Sequence, residues 1–199
     1  MSTQLNLADL PDLGELFRLF LAGKHLNRQA EPAKWLALEQ HADTYTALFA
    51  ALGFDLRIDV RGFAWFHTTD SYSAIGKTSR QLALLFMVLF DTQASSGKAL
   101  LRFTDWHITQ SLLDELYQKH AELLQAEELD VAALADLLNK AVSLGFAQAL
   151  PGGWRLLPAV CRYLDHFESL AKIDLSQPGA DLPEVALSAE VEDGEEEGD

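Results

Sequence analysis

The residues able to do chemistry are present but scattered. Six histidines, His25, His41, His67, His107, His120 and His166, are spread along the chain. No two have the helical spacing, with a carboxylate in support, that a zinc site needs. The single cysteine, Cys161, sits in an apolar helical pattern with no base near it in sequence. That describes a packed thiol in a reducing compartment, not a nucleophile. Adjacent carboxylates, Asp114-Glu115 and Glu127-Glu128, diverge on a helix and read as solvated faces. Gly76-Lys77-Thr78 has the ending of a phosphate-binding loop, but Ser71 stands where that pattern needs its first glycine. Neither a G-x-S-x-G elbow nor a G-x-G-x-x-G turn occurs. The reading is therefore not an enzyme, with no catalytic residue, no metal and no cofactor. Binding or scaffolding remains.

Two similar stretches organise the elements around these residues. Residues 52–66 read LGFDLRIDVRGFAWF, and residues 144–157 read LGFAQALPGGWRLL. Each starts with Leu-Gly-Phe at the end of a helical pattern, where glycine closes a helix in the left-handed conformation. Each continues with a short β run, a glycine turn (Arg61-Gly62; Pro151-Gly152-Gly153) and an aromatic-led second run. Helix, glycine cap, strand, turn, strand is how a winged-helix unit ends. The predicted fold is α+β and predominantly helical: tandem winged-helix domains with a disordered acidic C-terminal tail. The expected boundaries are 10–68 for the first domain, 69–79 for a linker, 80–173 for the second domain and 174–199 for the tail.

Within this frame, Leu13, Leu16, Phe17 and Phe20 mark a first helix. His25–Asn27 is a short extended piece expected to pair with the first wing. Pro32 opens what reads as one long helix to Leu52, with Trp35, Leu38, Tyr45 and Phe49 in its apolar stripe. On the wing's return strand, Phe63, Trp65 and His67 share a face with more aromatic area than a two-stranded ribbon needs. Residues 80–91 form a helix apolar all round, and 92–98 read as a loop. Helices are expected over 108–126 and 131–144, the second capped by Asp130, and Pro158 opens a last helix.

Charge narrows the partners. Formal net charge is −15, but nine acidic residues and no Lys or Arg lie in 181–199, which leaves −6 for 1–180. A mildly acidic body lacks the basic face of an autonomous DNA binder. The helix before the second wing offers only Asn139 and Lys140 as base readers, beside Asp130 and Asp136. Surplus apolar surface points to protein partners instead. The opening residues lack the pattern of a signal peptide, and the longest apolar run, 82–90, is too short to span a bilayer. A soluble, cytoplasmic protein with no membrane contact is expected.

The order of these segments resembles the MksE/MukE family. The first helix ending Leu-Ala-Gly-Lys-His-Leu at 21–26, the long helix, Phe54-x-Leu56 and Gly62-Phe63-x-Trp65-Phe66 look like its N-terminal half. The apolar helix at 82–90, QSLLDEL at 110–116, Leu144-Gly145-Phe146 and the second wing resemble its C-terminal half. The shorter chain is closer to the MksE branch. The resemblance covers residues 10–170. It implies a kite subunit, the tandem winged-helix component of a bacterial SMC condensin, nucleoid-associated and non-catalytic. It implies a homodimer formed through the N-terminal domain, bound to a kleisin subunit (MksF-like) and, through the complex, to an SMC ATPase (MksB-like). DNA entrapment, chromosome organisation or plasmid defence would be the role. Leu13, Leu16, Phe17, Phe20, Phe63 and Trp65 are the candidate dimer contacts, with the plain alternative that they form the first domain's core. Lys140 and Arg155 match positions of possible DNA contact, indirect or weak because few basic residues accompany them. The competing function is a winged-helix transcriptional regulator, which would bind duplex DNA sequence-specifically.

Overall fold

The computed structural model describes residues 10–67 and 76–176, with side chains described up to residue 172. Most of the expected acidic tail and most of the expected linker lie outside these residues, and positions 174–176 of the expected tail are helical. The fold is α+β and predominantly helical, with two small antiparallel sheets.

The first unit runs α1 (Leu13–Leu21), β1 (Leu26–Asn27), α2 (Pro32–Gln40), α3 (Ala42–Ala51), β2 (Asp55–Asp59) and β3 (Phe63–His67). The spacing of α1 turns Leu16 and Phe20 inward, against Tyr45, Phe49, Leu56 and Leu26. As expected, the short piece after α1 joins the wing. β1 pairs with β3 through Leu26↔Ala64 and Asn27↔Phe63, giving the strand order β1-β3-β2.

The second unit runs α4 (Lys77–Ser95), a 3-10 helix (Leu100–Asp105), α5 (Gln110–Ala126), α6 (Val131–Ser143), β4 (Ala147–Leu150), β5 (Gly153–Leu156), a 3-10 turn (Pro158–Val160) and α7 (Cys161–Ser176). The all-round apolar helix is its centre: Leu82, Leu85, Phe86, Val88 and Leu89 of α4 are buried. The side chains of Thr109 and Asp130 cap α5 and α6, accepting from the N–H groups of Leu112 and Ala133. β4 and β5 form the second wing, which Ile108 extends by exchanging two backbone bonds with Trp154.

Four expectations need correction. The helix expected over 33–52 is two, because His41 leaves helical geometry (φ −129°, ψ 29°) and its N–H closes a tight turn onto Leu38 O. No proline or glycine marks this break. The loop expected at 92–98 is helical to Ser95. Thr92 and Gln93, polar in sequence, are buried, and Thr92 Oγ1 donates to Val88 O. Helix α4 also begins at Lys77, inside the stretch expected as linker. Ile108 is a β-bridge residue, so α5 starts two positions later.

The repeated Leu-Gly-Phe is a real structural repeat. Gly53 (φ 88°) and Gly145 (φ 80°) both adopt the left-handed conformation. Phe54 N–H returns to Phe49 O at 2.9 Å, and Phe146 N–H to Ala141 O at 2.8 Å, the same helix-closing bond in both copies. Their surroundings differ. A Cβ on Gly53 would meet nothing within 4 Å, whereas one on Gly145 would run into the carbonyl oxygen of His25. Gly53→Ala should therefore cost only the left-handed penalty, about 1–2 kcal/mol. Gly145→Ala should cost clearly more in urea unfolding, because backbone must move; equal losses would contradict this.

Candidate interaction site: the junction between the two units

The aromatic face of β3 has its explanation inside the chain. Phe63 is fully buried and belongs to the second unit's core, with Trp65 packed against the same cluster. Register places Phe63 and Trp65 opposite Asp59 and Arg57, on the sheet face away from Leu56 and Phe66. One face of the first wing thus packs on its own helices and the other on the second unit.

Polar groups fix how the units meet. β1 brings His25 and Asn27, 2% and 1% exposed, against the end of α6. His25 donates its backbone N–H to Leu144 O at 2.9 Å. Its Nδ1 lies 3.0 Å from the same oxygen and its Nε2 lies 2.5 Å from Arg162 Nη1. A carbonyl only accepts and a guanidinium only donates, so His25 is neutral with its proton on Nδ1. Asn27 Nδ2 donates to Gly145 O at 2.7 Å, and Asn27 Oδ1 accepts from Ala159 N–H at 3.2 Å. Arg162 also lies over the Trp65 ring, 4.7 Å from its centroid. The His25 ring packs against Phe146, tilted by 42° with centroids 4.4 Å apart.

At the rim, Arg61 makes a two-pronged contact with Asp165, at 2.8 and 2.5 Å, and a second with Asp59. That second contact draws the Asp59 carboxyl below its usual range. Arg61 and Asp165 side chains remain 39% and 53% exposed, so this pair contributes about 0–1 kcal/mol. The buried bonds matter more. Separating the units would strand His25 and Asn27 groups at roughly 1–3 kcal/mol each unless water replaced every partner. Arg61 also reaches Cys161, the basic neighbour that sequence did not reveal, yet burial still pushes that thiol up. Beside the junction lies a cleft of about 170 Å³ lined by Lys24, Glu31, Val142, Ala147, Gln148 and Leu157.

The candidate dimer contacts fall in two sets. Leu16, Phe20 and Phe63 are buried within the chain, while Leu13, Phe17 and Trp65 are partly buried. The structure does not gather the six into one surface: the four on α1 belong to the first core and the two on β3 to the second. Lys140, on α6, lines a cleft with Lys77 and two acids, Glu128 and Asp136. Arg155 donates to Gln148 Oε1 at 2.6 Å across the wing, and Asn139 accepts from Trp154 Nε1 at 3.0 Å. The missed residues are Asn27, Arg162 and Asp165. Nothing in local spacing links positions 25–27 to 159–165.

Comparison with known families decides what this arrangement belongs to. The family model of the condensin complex protein MksE matches residues 11–168. The chain belongs to the MksE family. The matched span takes in both units and the whole junction. A comparison with curated proteins gives no match. This MksE-family chain is thus a condensin complex subunit, as the sequence resemblance implied. Among its described residues no helix is long and apolar enough to cross a membrane, and no group of three or more His, Cys, Asp or Glu could hold a metal ion.

Burial and the Arg162 charge hold the His25 pKa down from 6.5 to about 3. An unfolded chain takes up that proton below pH 6.5 and the folded one does not. The stabilisation is therefore complete above pH 6.5 and is lost as pH falls towards 3, by up to about 1.4 kcal/mol per pH unit. Glu31 and Asp59, also held low, add their own losses only near and below the usual carboxylate range. Between pH 6.5 and 5, wild-type stability in urea should fall more steeply than that of His25→Gln. Parallel slopes would show that His25 titrates in the folded protein.

Proposed function

We propose that this chain is the non-catalytic kite subunit of an MksB–MksE–MksF condensin, and that it binds the kleisin subunit to support DNA entrapment. The observation that carries the reading is the family match across residues 11–168, which spans both wings. The junction supports it physically. A subunit whose wings are fixed relative to each other offers an extended partner one continuous, preorganised surface, and preorganisation lowers the cost of binding. We read the tandem units, near the expected boundaries 10–68 and 80–173, as winged-helix domains in this sense.

A homodimer through the first unit is part of the same proposal, with Leu13, Phe17 and Trp65 the remaining partly exposed members of the sequence-derived set. Contact with the SMC ATPase runs through the kleisin, and DNA is met indirectly or weakly. The acids beside Lys140 and the bond that engages Arg155 favour that weaker role. A place in the cytoplasm, on the nucleoid, and a role in chromosome organisation or plasmid defence follow from this assembly.

The kleisin and SMC subunits should be encoded beside this chain. Co-expression with the neighbouring kleisin should give one stable complex through affinity and size-exclusion steps, with no ATP required. Separate elution of the two at micromolar concentration would overturn the proposal.

A further inference from the structure

The first unit leaves one sheet edge open. In the order β1-β3-β2, strand β2 has β3 on one side and, among the described residues, no strand on the other. Alternate residues of such an edge turn N–H and C=O groups outward, which is a template for another strand. Ile58 and Val60 stand beside it, 37% and 95% exposed. The charges along it alternate: Asp55, Arg57, Asp59, Arg61.

We propose that β2 is the seam where a second copy of this chain docks, antiparallel, about a two-fold axis at Ile58. This rests on the dimer reading above and names its surface. Symmetry makes every contact occur twice. In this register Ile58 meets its own counterpart, and Arg57 faces Asp59 of the second copy. Arg61 comes within side-chain reach of the opposing Asp55, and Val60 is drawn towards the opposing Leu56. Two three-stranded sheets become one continuous sheet.

The alternating charges select this register. Centring the pair on Arg57 would set Arg57 against Arg57 and Asp55 against Asp59. Parallel in-register pairing would oppose every like charge. Both are destabilised by like charges directly opposite each other. Centring on Leu56 matches Asp55 with Arg57, but it places at the seam a residue already buried in its own core and leaves Val60 uncovered. A slip of one residue that broke the pairing symmetry would turn the charged side chains to the wrong face. The existing bonds do not oppose docking. Arg57 now pairs with Asp55 at 2.7 Å, both more than two-fifths exposed, so exchanging partners costs little. Arg61 gives four hydrogen bonds to Asp59 and Asp165, which leaves one guanidinium N–H for the opposing Asp55, and the Asp59 carboxylate has lone pairs to accept a further donor.

The test uses the full chain. In a Cys161→Ser background, Ile58→Cys should form an intersubunit disulfide on mild oxidation, whereas Arg57→Cys should not, its counterpart lying two residues off. Sedimentation should show Ile58→Lys weakening the dimer by about tenfold or more, since it sets two ammonium groups together at the seam. A dimer unaffected by Ile58→Lys, with no Ile58→Cys cross-link, would overturn the seam and leave the dimer reading intact. A monomer at every concentration would overturn both. A dimer that survives Ile58→Lys but loses the kleisin would show that this edge takes a kleisin strand, which also overturns the proposal.

Discussion

The structure depends on one buried contact: the short strand at His25–Asn27 set against the end of helix α6. Both side chains are all but inaccessible, and each spends its polar atoms on the other unit or on its own strand. Burial of this kind is stable only when complete, since each stranded donor or acceptor costs more than a made bond returns. Gly145 is the matching concession on the other side. Its missing side chain lets the His25 carbonyl approach, and its left-handed backbone ends α6 at that point. The same residue thus closes a helix and admits a neighbour.

Function follows from what this contact fixes. The first wing has one sheet face on α1 and α3 and the other on the second unit, so most of its aromatic area is covered internally, with Trp65 only partly buried. What remains for partners is the edge and tip of that wing, the cleft beside β4 and the outer faces of the helices. On α6, Lys140 shares its cleft with Glu128 and Asp136, which oppose its charge. A condensin subunit that works through protein contacts, with its wings held at a set angle, is the reading these surfaces support. Arg162 shows the cost of the arrangement: burial, partly offset by Tyr163, lowers its pKa to about 10, and Trp65 and His25 are among the groups that receive it.

Much of this was legible in the sequence, for a physical reason. Helix closure by Leu-Gly-Phe and the short β run and glycine turn that follow it are local, and local patterns survive in a bare sequence. The cap at Asp130 was legible in the same way. The pairing of the piece after α1 with the wing followed from the order of elements. The break at His41 was not legible, because no residue there forbids a helix. The buried Thr92 and Gln93 misled, since polar residues in a helix read as loop until their partners are seen. The junction itself was hidden. A histidine and an asparagine more than a hundred residues before the arginine carry no spacing signal, and the surplus aromatic face of β3 was visible without any indication that its cover lay in the same chain.

The central claim is that the two units behave as one body because of the His25–Leu144 contact. Amide hydrogen exchange of His25 in the full chain tests it most directly, since that N–H is bonded across the junction at 2.9 Å. This amide should exchange only through global unfolding, with the same opening free energy as the most protected amides of α4 and α6. Exchange through a local opening well below that free energy, with both cores still protected, would show that the units part freely and would contradict it.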